Sequence, residues 1–291
     1  LEARYGLNAA GFGYLWHTTH PRFQIDSEPN EPNRFGWVVE IDPWDPESKP
    51  IKRTMLGRCK HEAAKTVEAK DGRIVVYTGD DERFEYLYRF VSAMPWRDAI
   101  DAGVSPLDEG TLSVAKFNAD GTGEWLPLSP DNPALAAWTL PEILVNSRGA
   151  GDAAGGTKLD RPEWIDAYPD KLMAVITCTN NTRRGTGTNP GPDAANPRAV
   201  NNYGHIIRWG HDDDWTEDTF WWDHFALAGN RAAAVPDGST VNGDLYGAPD
   251  GLYVAPSGRF WIQTDVGTDT QNRGPFAGFG NNQMLCADPV T

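Results

Sequence analysis

Three times along this chain an acidic residue opens a short apolar strand, a turn follows, a second strand returns, and a further acid or amide closes the unit. The first unit runs from Glu62 to Asp80 and Asp81, the second from Glu163 to Asn180 and Asn181, and the third from Asp250 to Asp265. Their turns fall at Asp71-Gly72, Asp170-Lys171 and Ser257-Gly258. Because the strands of a hairpin run antiparallel, the opening and closing residues return to the same edge of the sheet. All three hairpins therefore present oxygen ligands at one end. Radial repetition of such hairpins is the plan of a β-propeller, whose inner strands would gather the three polar edges around a common channel mouth.

Convergent carboxylates need compensation, since two unit charges about 4 Å apart interact by about 4 kcal/mol at an effective dielectric near 20. A multivalent cation supplies it most simply. Oxygen donors without paired cysteines or clustered histidines favour calcium, magnesium, manganese or ferric iron over zinc or copper. The formal charge of −15 opposes binding to nucleic acid or to an anionic membrane surface. No apolar run approaches the roughly 20 residues that span a bilayer, so membrane insertion is not expected. The three cysteines, Cys59, Cys178 and Cys286, are odd in number and lack CxxC spacing, which leaves them as buried small hydrophobes. No GxSxG elbow points to serine-hydrolase chemistry.

With 12 tryptophans, 30 glycines and 22 prolines, the chain reads as all-β, with many short strands and tight turns. Alternation and β-branched or aromatic content mark strands at 36–41, 51–57, 73–78, 84–92, 111–117, 124–128, 172–178, 205–209, 219–227, 251–255, 259–264 and 283–287. At four strands per blade this makes about three blades, fewer than the four to eight that close a propeller. The expectation is one partial β-propeller domain over 1–291 with long loop insertions, incomplete at both ends. Between the strands, one short helix is expected near 132–146, interrupted by Pro141 and followed by a flexible SRGAGDAAGG. Residues 182–204 form a long polar loop of the kind that covers or builds a site. Within it Arg198 is a candidate catalytic residue, because arginine suits forked recognition of phosphate. Arg183 and Arg184 read as solvated charge. The acidic run 211–218 reads as an exposed turn, and His61 as a packed, hydrogen-bonded residue.

The segments NEPNRFGWVVEIDPWDP (30–46), KRTMLGRCKHEAA (52–64), VVYTGDDERFEYLYRFVS (75–92), LDEGTLSVAKFNADGTGEWLPL (107–128), LDRPEWI (159–165), DAANPRAVNNYGHIIRW (193–209) and GNNQMLCADPVT (280–291) resemble the PhoX-type secreted alkaline phosphatases. The likeness covers essentially the whole chain. It implies a β-propeller and a mixed cluster of ferric iron and calcium that supports hydrolysis of small-molecule phosphomonoesters. It also implies a monomeric protein exported to the periplasm or beyond. Carried over by motif, Glu62 of KHE, Asp81 of GDDE and Glu163 of DRPE would hold metals, and Arg161 of DRPE would reach the substrate phosphate. Asp265 of IQTD and Asn281 of GNNQ would be further ligands, while Asp250 rests mainly on the internal repeat. The family usually has Phe where this chain has Cys59, a change of packing. Its upstream Asn-Asn-Cys element, which provides a cysteine iron ligand, its Thr-Cys-Glu-Glu element and its twin-arginine signal have no counterpart here. Two other readings are a non-catalytic calcium-stabilised binding propeller and a metal-dependent sugar lactonase. DRPE and GDDERFEYLY do not resemble the lactonase.

Overall fold

Fourteen strands are present among the described residues of the computed structural model, which are 2–7, 13–230 and 238–288. In chain order they are β1 (Val39–Glu40), β2 (Ile51–Lys52), β3 (His61–Glu68), β4 (Arg73–Asp80), β5 (Leu87–Pro95), β6 (Gly110–Phe117) and β7 (Thr122–Pro127). There follow β8 (Pro162–Ala167), β9 (Met173–Cys178), β10 (His205–Gly210), β11 (Thr219–Leu227), β12 (Pro249–Val254), β13 (Phe260–Thr264) and β14 (Met284–Ala287). Nine of them form one antiparallel sheet in the order β3-β4-β5-β6-β7-β11-β10-β9-β8. This sheet curls until its two ends, β3 and β8, lie side by side. A second sheet, β12-β13-β14, packs its first strand against β8, and β1 pairs with β2 apart from both.

The curl follows from strands that are apolar on both faces. Along β4, Val75 and Tyr77 point into the curled sheet with Trp125, Trp209, Trp215 and Trp222, while the intervening Val76 packs outward with Leu112, Val114 and Ile143. Along β9, Ala174 and Ile176 face inward and Val175 faces the β12-β13-β14 sheet. A strand buried on both sides reads as a continuous apolar run and needs a layer on each face.

The three expected hairpins are β3-β4, β8-β9 and β12-β13, and their first strands are neighbours in space. Asp166 of β8 ties them together: its Oδ1 lies 2.6 Å from Lys65 Nζ of β3, and its Oδ2 accepts the Val254 N–H of β12 at 2.6 Å. Each first strand is also bulged near its acidic residue, with register shifts at Glu62/Lys65, Pro162/Ile165 and Pro249/Leu252. Beside each bulge a non-glycine residue is left-handed: Ala63 (φ 59°), Arg161 (φ 57°) and Ala248 (φ 53°). Such backbone costs on the order of 1–3 kcal/mol per residue and clusters at functional sites. The repeat thus extends to backbone strain at the same edge.

Several sequence expectations are corrected. SRGAGDAAGG is helical over Ser147–Ala154. The Asn146 side chain caps it by accepting the Gly149 N–H at 3.1 Å, and Gly155 ends it in the left-handed region. A Cβ on Gly151 would lie 2.8 Å from the Tyr86 ring, so this glycine serves close packing rather than flexibility. Pro141 does not interrupt a helix. It sits in the first turn of Leu140–Val145, behind the Thr139/Glu142 capping box, where its missing N–H costs nothing. Strands β3 and β8 lie outside the ranges that alternation marked, because their bulges break the period of two. The 36–41 and 51–57 runs shrink to the two-residue strands β1 and β2. Cys59 and Cys178 are buried as expected, but Cys286 is exposed on β14, the last strand of its sheet.

Candidate metal and phosphate site

At the shared edge of the three hairpins, Arg161 Nη2 lies 2.8 Å from Asp81 Oδ1 and 2.9 Å from Glu163 Oε1. Both carboxylate oxygens are buried, yet neither meets an N–H in line and neither has a hydrogen bond. The guanidinium neutralises them without satisfying them. Glu163 is almost wholly buried and stands close enough to Asp250 to share a proton with it. Burial first, then that contact, holds the Glu163 carboxyl far above the usual carboxylate range. Burial also raises Asp250, with Asp265 and Asp81 adding to the effect. Glu62, at the bulge of β3, is raised by burial and then by Asp81 and Asp250. Glu62, Asp81, Glu163, Asp250 and Asp265 therefore share one electrostatic field, with Asp265 the exposed member.

Two of the expected site residues sit differently. Asn281 is exposed, and the amide that reaches the hairpin end is its neighbour Asn282, whose Oδ1 accepts the Val266 N–H at 2.7 Å. Arg198 donates to the carbonyls of Gly204 and of Ala228, the latter at 2.7 Å, which fastens the 182–204 loop to the ends of β10 and β11. His61 is hydrogen-bonded to Thr78 Oγ1 at 2.9 Å and to the Gly57 carbonyl at 3.0 Å, the packed role expected of it.

What presents Asp81 and Arg161 is a pair of buried ion pairs that the sequence reading missed. Asp80 is fully buried and takes a forked contact from the buried Arg148, at 2.7 Å from Nε and 2.5 Å from Nη2. Asp160 is fully buried against Arg184 Nε at 2.6 Å, and also accepts the amides of Asn181 and Asn201, each at 2.9 Å. Arg184 is thus not solvated charge but the counter-ion of Asp160. Asn181 likewise faces Asp160 rather than the carboxylate cluster. Within each doublet, Asp80-Asp81 and Asp160-Arg161, the first residue is anchored and the second is offered to the edge. The member of each doublet that is turned inward carries a charge, which had to find a buried partner. The acidic run 211–218 is a turn as expected, closed by Glu217, which accepts the N–H groups of Asp212, Asp213 and Asp214, although His211 and Trp215 within it are buried.

Gly79 sets how closely β4 approaches β8. A Cβ there would stand 2.4 Å from the Glu163 carbonyl and 2.5 Å from that of Pro162, both main chain. Gly79→Ala should therefore push β8 away, costing about 1–3 kcal/mol as other overpacked sites do, and should weaken metal binding at Glu163. Thermal melting together with metal content checks this. A variant matching the parent in both would show that the close approach is not needed.

The donor set suits a hard cation, since the five clustered candidates are all carboxylates and two of their buried oxygens lack donors. Among the described residues, no three groups already form a ligand cage. Arg161 stands between two of the carboxylates instead.

The profile of the family described as alkaline phosphatase PhoX matches residues 1–291. Among solved structures, the chain is similar to Pseudomonas fluorescens PhoX in complex with vanadate, a transition state analogue. Identity is 44%, the TM-score is 0.91, and the match covers 99% of this chain and 53% of that one. The chain thus spans about half the length of its solved relative. No curated protein matches it. The curled sheet and its neighbour share the relative's β-propeller architecture. With its full length matched by the family profile, and a solved member superposing along 99% of it, the chain belongs to the PhoX alkaline phosphatase family.

Proposed function

We propose that this chain forms part of a metal-dependent alkaline phosphatase that releases inorganic phosphate from small phosphomonoesters. The observation that carries the reading is Arg161 seated between Asp81 and Glu163 within a field of five carboxylates. A forked cation suited to phosphate and a set of oxygen donors suited to hard metals meet at one sheet edge. In this reading Glu62, Asp81, Glu163, Asp250 and Asp265 hold ferric iron and calcium, with Asn281 an outlying candidate ligand and Arg198 an outlying candidate for contact with phosphate. The strand sets that begin with β3, β8 and β12 are three blades of the propeller. Bound metal would supply Lewis-acid polarisation and charge neutralisation for one of the slowest uncatalysed hydrolyses.

The protein's own part is positional. Asp81 and Glu163 keep Arg161 at the edge, and the Asp160–Arg184 pair fixes the backbone from which Arg161 projects. Once phosphate competes for the guanidinium, its planar fork can address two equatorial oxygens and offset their developing charge. Among the described residues no helix is long and apolar enough to cross a membrane. Export to the periplasm or beyond is what the family implies.

Arg161→Lys in the full-length protein tests the assignment. Metal content should stay at the parent level while kcat for a generic phosphomonoester falls by roughly 10²-fold or more, because a point charge cannot reproduce the forked contact. Parent-level kcat would remove Arg161 from the phosphate.

A further inference from the structure

Arg4 and Tyr5, in the short 3₁₀ helix Glu2–Tyr5, lie over the buried Asp80–Arg148 pair. Arg4 forks onto Glu85, at 2.7 Å from Nε and 2.9 Å from Nη2, and its Nη1 reaches Asp152 of the Ser147–Ala154 helix. Glu85 in turn lies 3.7 Å from Arg148 Nε. The Arg4 carbonyl accepts Arg148 Nη1, the one nitrogen of that guanidinium that Asp80 does not engage. The Tyr5 hydroxyl donates to the Arg58 carbonyl at 3.1 Å and accepts the Arg148 backbone N–H at 3.4 Å. Its ring does more. The guanidinium carbons of Arg58 and Arg148 stand 4.1 and 4.7 Å from the ring centroid. Arg58 is buried, and its guanidinium donates to the carbonyls of Pro32, Phe35 and Val145, none of them charged. One aromatic ring therefore serves two buried cations and offsets their mutual repulsion.

From this pair the contacts run on to the carboxylate edge. Asp80 Oδ1 also accepts the Lys60 N–H at 3.1 Å, and the Lys60 carbonyl accepts the Asp81 N–H at 3.0 Å. Lys60 is two residues before Glu62, and Asp80 is one before Asp81. A single buried carboxylate thus fixes the backbone from which two of the candidate ligands project. Asp80 is only as fixed as Arg148. A guanidinium gripped by its carboxylate alone can swing together with it, whereas one that also donates to a carbonyl and packs on a ring holds the carboxylate in one place.

We propose that Arg4 and Tyr5 are positioning residues for the metal site, a strap that holds the Asp80–Arg148 pair and, through it, the spacing of Glu62 and Asp81. The proposal rests on the metal-site reading above and adds to it two residues that touch neither metal nor phosphate. They act through Arg148. Loosening the strap lets the two ligands drift apart, so metal is held less tightly, while the contact of Arg161 with phosphate is left alone. Groups that orient metal ligands in this way change metal affinity by about 10- to 100-fold.

Equilibrating the full-length, metal-loaded protein against a graded series of calcium buffers and counting bound calcium tests this. In Tyr5→Ala the free calcium needed to retain half of the bound metal should rise about tenfold, the low end of that range because the strap acts at one remove from the ligands. Excess calcium should restore kcat on a generic phosphomonoester, with KM unchanged. Tyr5→Phe keeps the ring against both guanidiniums and should stay within about threefold of the parent. Arg4→Gln should shift the midpoint in the same direction as Tyr5→Ala, and it carries the test if Tyr5→Ala does not fold. Phe117→Leu is the control for stability alone: it loosens β6 inside the curled sheet, against Phe220 and Trp222, and should lower melting while leaving the calcium midpoint in place. A parent-like midpoint in folded Tyr5→Ala and Arg4→Gln would overturn the strap, as would an equal shift in Phe117→Leu. A parent that binds no calcium would instead sink the metal reading, and the strap's role with it.

Discussion

Replacing Glu163 with Gln in the full-length protein is expected to lower bound metal and phosphatase activity together. The amide keeps nearly the volume of the carboxyl, so the packing of β8 on β4 survives while a charged oxygen donor is lost. Glu163 is almost wholly buried, and its Oε1 has no hydrogen bond. Among the described residues Arg161 is the cation beside that oxygen, and a bound metal ion would offset the cost of a charged carboxylate at this position. Loss of a partner that merely orients a metal ligand costs about 10- to 100-fold. Loss of a ligand should exceed that. In the metal-free state the same variant should melt no lower than the parent, because it removes a carboxyl whose ionisation burial opposes. Full activity with an unchanged metal count would exclude Glu163 from the site.

Arg184→Met is expected to produce the largest loss of stability among the residues around the site. Arg184 and Asp160 are each fully buried, and removing the arginine leaves Asp160 charged with only the two asparagine amides to solvate it. Breaking a buried pair in this way costs about 3–5 kcal/mol. For a domain of this size that corresponds to a fall in melting temperature on the order of 10 °C. Arg184 also donates to the carbonyls of Lys158, at 2.7 Å, and Gly191, at 3.0 Å, so the 182–204 loop should loosen at the same time. Calorimetry and limited proteolysis would register the two effects. A melt within about 2 °C of the parent would mean that Asp160 is not held as a charged group.

The parts of this fold that were legible in the sequence are those where one signal acts alone. Hairpin turns with Gly72 and Gly258 both adopt the left-handed backbone that glycine permits, and the strands they join pair as expected. The acids that open each hairpin, Glu62, Glu163 and Asp250, come to one edge for the same reason. What stayed hidden depends on contacts between distant segments. Arg148 lies in a Gly/Ala-rich stretch that looked flexible, and its contacts with Asp80, Glu85 and the Tyr5 ring, all remote in sequence, explain its burial. Arg184 looked like loop charge because Asp160 is remote in sequence from it and was itself read only as part of a motif. In both cases the residue type was right for a buried pair, and the missing information was which carboxylate would be turned inward. Bulges hid β3 and β8 from a search for alternation, although those strands carry the site.

The central claim, that the convergent carboxylates hold metals on which phosphate hydrolysis depends, is tested most directly by counting iron and calcium in the purified full-length protein before and after chelation, with activity on a generic phosphomonoester measured on the same samples. The expected result is that both metals are present, that activity and melting temperature fall together as they are removed, and that restoring them returns both. Calcium alone, with no hydrolysis, would mark a binding propeller. Full activity from protein stripped of metal, with an unchanged melting temperature, would contradict the claim outright.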